Sequence, residues 1–114
     1  MIKPAWYPFD DGSSIGTEGS EKGVILCDEE HSKGARITLE RDGSAPFAIT
    51  CGIYGWMVHT RFFSNLPEAQ QAFDEMKAEL GNIMNLIPLA DDARVDAKMI
   101  VVEEAIDRFI EQFP

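Results

Sequence analysis

Apolar side chains recur along this chain with two different periods, and the change from one to the other divides it. From residue 24 to residue 63 the period is two. Val24-Ile25-Leu26-Cys27 is a short unbroken apolar run, as expected of a buried strand. Ala35, Ile37 and Leu39 then alternate with Arg36, Thr38 and Glu40. After the turn signal Asp42-Gly43-Ser44, Phe47, Ile49 and Cys51 alternate in the same way. Gly52-Ile53-Tyr54-Gly55 separates a fourth strand, Trp56 to Phe63. Connections this short join antiparallel neighbours, because a parallel pair needs a long crossover.

A register follows from the connections. With residues 42–46 as the first turn, Leu39 faces Ile49 and Ile37 faces Cys51. With residues 52–55 as the second, Cys51 faces Trp56, Ile49 faces Val58 and Phe47 faces Thr60. This arrangement gathers the large apolar residues on one face, and a slip of one residue would scatter them.

Beyond residue 64 the period lengthens to that of a helix. Leu66, Phe73, Met76, Leu80, Ile83 and Ile87 form one stripe. Ser64 or Asn65 is placed to cap it, Pro67 suits its first turn and Pro88 ends it. Gly81, inside the stripe, marks a close contact or a slight break. A second helix, capped by Asp91 or Asp92, runs to about Gln112 with Met99, Val102, Ile106, Phe109 and Phe113 in its stripe. Ile100, Val101 and Ile110 lie outside that stripe. The fold class expected is α+β: a four-stranded antiparallel meander sheet followed by two C-terminal helices packed on one face. Residues 24–114 make a single domain, preceded in 1–23 by an aromatic arm (Trp6, Tyr7, Phe9) and a flexible Gly/Ser/acidic loop.

Composition narrows the function classes. The chain has 114 residues and a formal charge of −10, from 20 acids and 10 bases. A field of that sign repels phosphate backbones and anionic lipid, and no Lys/Arg cluster offsets it, so neither nucleic acid nor a membrane is expected as a partner. Eleven of the acids, against four bases, lie in residues 64–114, a surface suited to a basic protein. With two prolines and no apolar run at its start, the chain reads as cytoplasmic, where Cys27 and Cys51 stay reduced.

The chemical motifs are sparse. Cys27-Asp28-Glu29-Glu30-His31 holds every common metal-ligand type but lacks ligand spacing, so no metal is expected. Cys51 and His59 fall on opposite faces in the register above, which excludes a thiol–imidazole pair. The Gly-rich loop at Gly12–Gly19 is flanked by acids and precedes no helix, so it is not a phosphate cradle. No catalytic residue or cofactor is assigned. The outer sheet face is the more promising surface: the register gives it Arg36, Thr38, Thr50, Met57, His59, Arg61 and Phe63, a mixture of cations and apolar groups suited to binding.

The segments Arg36-Ile37-Thr38-Leu39-Glu40, Cys51-Gly52-Ile53-Tyr54-Gly55-Trp56-Met57 and Ala72-Phe73-Asp74-Glu75-Met76-Lys77 resemble small uncharacterised bacterial proteins, a family with no assigned function. The resemblance covers most of the chain. It implies a bacterial cytoplasmic protein and brings no activity or site residue with it. Three functional readings remain. The first is a non-enzymatic interaction protein, a homodimer formed through Trp6 and Tyr7 of the arm, through Ile100, Val101 and Ile110 of the second helix, or through the outer sheet face. The second is an acidic inhibitor or immunity-type protein for a basic partner. The third is a small ligand-binding domain or enzyme using His59 and Arg61 beside Thr50.

Overall fold

A computed structural model describes residues 5–88 and 92–114. The fold is α+β: an antiparallel sheet of five strands and two helices. The strands are β1 (Trp6–Pro8), β2 (Val24–His31), β3 (Ala35–Arg41), β4 (Phe47–Ile53) and β5 (Met57–Phe63). The helices are α1 (Leu66–Leu86) and α2 (Val95–Gln112). Spatial order in the sheet repeats chain order, β1-β2-β3-β4-β5.

The additional strand is the aromatic arm. Trp6 pairs with His31 and Pro8 with Glu29, which makes β1 a sheet edge, where proline costs no ladder bond. The Trp6 indole meets the His31 ring edge-on, with centroids 5.0 Å apart. Gly81 lies against the indole, where an added Cβ would lie 3.4 Å from its nitrogen, an ordinary contact distance.

Leu39 pairs with Ile49 and Ile37 with Cys51, as alternation predicts. The β4–β5 register differs from the expected one by three residues. Cys51 pairs with His59, Ile49 with Arg61 and Phe47 with Phe63. The cause lies in the turn. Gly52 and Ile53 continue β4, and the chain reverses only at Tyr54-Gly55-Trp56, where Gly55 takes φ +81° and Trp56 N–H donates to Ile53 O. A shift by an odd number exchanges the two faces of β5.

One face of the sheet is closed by α1. Asn65 caps this helix, its side chain accepting from Glu68 N–H at 3.0 Å. Phe73, Met76, Leu80, Ile83 and Met84 are buried on it against Ile37, Leu39, Ile49, Cys51 and Ile53. Burial of each large side chain contributes about 1.5–3 kcal/mol. α1 crosses β3, β4 and β5, and the principal partner of α2 is α1, through Val102, Ala105, Ile106 and Phe109. Of the two caps expected for α2, Asp91 lies outside the described residues, while Asp92 accepts from Arg94 N–H at 2.8 Å just ahead of the helix. Ile100, Val101 and Ile110 remain exposed on α2. No described helix is long and apolar enough to cross a membrane.

Candidate functional site

The far face of the sheet carries Asp28 and Glu30 from β2, Arg36, Thr38 and Glu40 from β3, Ala48, Thr50 and Gly52 from β4, and Val58, Thr60 and Phe62 from β5. Residues 9–23 return across this face and cover its β2–β3 half. Phe9 lies on the Arg36 guanidinium, 3.6 Å from ring centroid to Cζ. Glu21 and Gly23 donate backbone N–H groups to Glu40 Oε1 at 3.0 and 2.8 Å. Ile25 exchanges backbone hydrogen bonds with Gly16 and Thr17. Glu40 is consequently only 1% exposed although it belongs to an outward-facing position. Its Oε2 has no hydrogen-bond partner among the described residues, and a Cβ on Gly19 would fall 2.4 Å from it. Any side chain at Gly19 would have to displace the Glu40 carboxylate.

Asp28 is equally enclosed. Arg36 donates to it through Nε and Nη2 at 2.8 and 2.6 Å, and Thr38 Oγ1 donates at 3.1 Å. The Asp28 hydrogen bonds hold the Arg36 guanidinium above its usual range, against the opposing effect of burial. Glu30 bridges two phenols, accepting from Tyr7 at 3.0 Å and from Tyr54 at 2.6 Å. Burial, followed by this carboxylate, pushes Tyr54 up to about 12.

Between the tip of the returning loop and the β4–β5 turn lies a cavity of about 740 Å³. Ser20 stands on one side, Thr38 and Thr50 form the floor, and Tyr54, Trp56 and Val58 line the other side. That volume falls within the common range for small-molecule pockets. Its hydroxyls and its guanidinium are already engaged: Thr50 Oγ1 lies 3.3 Å from both Ser20 Oγ and Thr60 Oγ1, and Arg36 is held by Asp28, while Glu18 adds a carboxylate to the lining.

Of the expected outer-face residues, Arg36, Thr38 and Thr50 line this cavity from the outer face, and Met57 borders it from the start of β5. Met57, His59, Arg61 and Phe63 belong instead to the helix-facing side of β5, through the three-residue change in register. There His59 Nε2 donates to Phe113 O, and Arg61 Nε donates to Pro114 O at 3.1 Å. Arg61 also lies over the Phe63 and Phe113 rings. The pair ties the residues that follow α2 to β5 and cannot share a pocket with Thr50, which faces the other way.

The same register makes Cys51 and His59 cross-strand partners on one face, correcting the basis on which they were separated. Cys51 is nonetheless buried, and burial pushes its thiol up to about 12, far from the thiolate a nucleophile requires. Residues 27–31 all belong to β2. Cys27, Glu29 and His31 point toward the helices, and Asp28 and Glu30 point away. His31 is buried and accepts from Lys33 N–H through Nδ1 at 3.1 Å, while burial and then the Lys33 charge lower its pKa. Among the described residues, no three His, Cys, Asp or Glu side chains are grouped to hold a metal ion.

Tyr54, Trp56, Val58 and Phe62 are the members of this surface that alternation alone does not find. One sequence signal does mark them. Residues 43–67 contain no Asp or Glu in a chain that has 20. Comparisons with family models, curated proteins and solved structures gave no match, in keeping with a family that has no assigned function.

Proposed function

We propose that this protein is a non-enzymatic binding domain of the cytoplasm, and that its site is the outer-face cavity between the returning loop and the β4–β5 turn. The observation that carries this reading is the cavity's character. Its walls are mainly aromatic and aliphatic, its hydroxyls and its one guanidinium are satisfied by their own neighbours, and Glu18 is the one carboxylate among its described lining residues. Such a site favours an uncharged, largely apolar group, either a small molecule or a side chain of a protein partner. Chemistry is not supported there. No histidine lines the cavity among the described residues, and the Cys51 thiol stays protonated.

A neutral fluorescent apolar probe, N-phenyl-1-naphthylamine, tests the site. The native protein is expected to bind it with enhanced emission. Thr50→Trp, which places an indole on the cavity floor, is expected to weaken that binding about tenfold or more, a loss of about 1.4 kcal/mol. Absence of probe binding, or binding indifferent to Thr50→Trp, would reject the cavity as the site.

A further inference from the structure

The two edges of the sheet are finished differently. β1 spans three residues and ends in Pro8 and the 3-10 turn Phe9–Gly12, so it offers little ladder for another strand. β5 spans seven residues, contains no proline, and among the described residues has β4 as its only neighbour in the sheet.

The direction of its free backbone groups follows from the turns. Asp42 N–H donates to Pro46 O, and Tyr54 N–H donates to Gly34 O, one bond at each end of the β3–β4 pair. Antiparallel ladders alternate, so the even residues of β4 bond to β3 and its odd residues bond to β5. The odd residues of β5 answer them. Val58, Thr60 and Phe62 therefore turn their N–H and C=O groups to the open edge. Their side chains, on the outer face, include two of the most exposed apolar groups of the molecule, Val58 at 80% and Phe62 at 56%.

We infer that this edge is the interface of a homodimer, in which β5 pairs antiparallel with β5 of a second copy about a two-fold axis at Thr60. Three observations select a second copy as occupant. First, that axis pairs all seven residues of the strand and sets each Val58 against the other copy's Phe62. This is an aliphatic–aromatic cross-strand pair made twice by symmetry. Second, the pairing satisfies backbone groups that turn to the edge on both strands. Third, two molecules of charge −10 repel each other except where acids are missing, and the β4–β5 hairpin lies within the acid-free residues 43–67. The helix-facing side would place His59 against the second copy's Arg61. Both already hold C-terminal carbonyls, so the attraction comes from the backbone and the outer face.

The dimer deepens the binding reading above, on which this part rests. Val58 lines the cavity, so the second copy's Phe62 completes its rim, and two cavities open on one continuous ten-stranded face.

Sedimentation equilibrium of the full chain over a range of concentrations tests the interface. Twice the chain mass is expected, with a dissociation constant raised about tenfold or more by Phe62→Lys, which removes both cross-strand pairs and adds like charge. Thr60→Pro removes an edge-facing N–H and is expected to yield monomer. Far-UV circular dichroism and melting at a dilution where all forms are monomeric separate interface loss from misfolding. A monomer at every concentration overturns the inference, as does a dimer indifferent to both substitutions. Because Phe62→Lys leaves the Thr38 and Thr50 floor of the cavity unchanged, probe binding that depends on Thr50 while the mass stays monomeric would leave the cavity standing and remove the dimer alone.

Discussion

The two faces of the sheet are covered by opposite means. On the helix side, Ile37, Leu39, Ile49, Cys51 and Ile53 meet Phe73, Met76 and Leu80, and water is excluded by apolar area. On the other side, a loop with little apolar content is held down directly by Glu40 and, through the Arg36 guanidinium that carries Phe9, by Asp28, two carboxylates buried to 1% and 3% residual exposure. Each ends in partners of a different kind: backbone N–H groups for Glu40, a guanidinium and a hydroxyl for Asp28. A buried charge costs much unless hydrogen-bonded, so this second closure depends on a few directed contacts. The first is spread over many contacts, none of them directional. A half-covered face leaves a cavity where the directed contacts stop.

Substitution separates the two modes. The largest effect is expected on the helix side: Leu39→Ala opens a hole at the centre of the core and should cost about 2–5 kcal/mol in chemical denaturation. Glu40→Ala should cost less, about 1–3 kcal/mol, by leaving the Glu21 and Gly23 amides without their acceptor. Its mark is local. Hydrogen exchange should accelerate at those two amides while the α1 amides keep their protection. Equal acceleration throughout would mean that the loop and the core open as one unit, and the contrast between the faces would fall.

The mildest perturbation is alkaline pH. The Cys51 thiol, pushed from 9.0 to about 12 by burial, ionises in the unfolded chain before it does in the fold. Its contribution to stability is therefore complete below 9.0 and declines as pH rises toward about 12. Cys51→Ala should flatten that part of the decline, as read from denaturation midpoints on either side of the free-thiol value. In the native protein, iodoacetamide should modify the half-buried Cys27 well before Cys51.

How much of this was legible depended on whether a strand has one apolar face or two. β3 and the first five residues of β4 alternate cleanly, and the Asp42-Gly43-Ser44 turn fixed their register. β5 reads Met57-Val58-His59-Thr60-Arg61-Phe62-Phe63, with apolar residues on both sides, so periodicity could not choose a face. The choice fell to the turn, where Gly52 and Gly55 offered two ways to reverse. That ambiguity moved His59 and Arg61 to the wrong side and hid Val58 and Phe62. The returning loop was harder still. Its anchors are acids at outward strand positions, and local composition does not distinguish a carboxylate that binds backbone amides from one that faces water. The Asn65 cap and the α1 stripe, by contrast, depend only on neighbours three and four residues away, and both were readable. The arm was legible as an apolar segment seeking a surface, but not as a fifth strand.

A sheet whose spatial order copies its chain order also has a kinetic consequence. From β2 to β5 each strand finds its partner across a short stretch of chain, so little loop entropy opposes the first hairpins. The long-range closures are the grip of His59 and Arg61 on Phe113 and Pro114, and the packing of the helices behind it. Chain order thus assigns a folding order: β2 through β5 can assemble as they leave the ribosome, and Phe113 and Pro114, which follow the helices, later fasten the strand that precedes them.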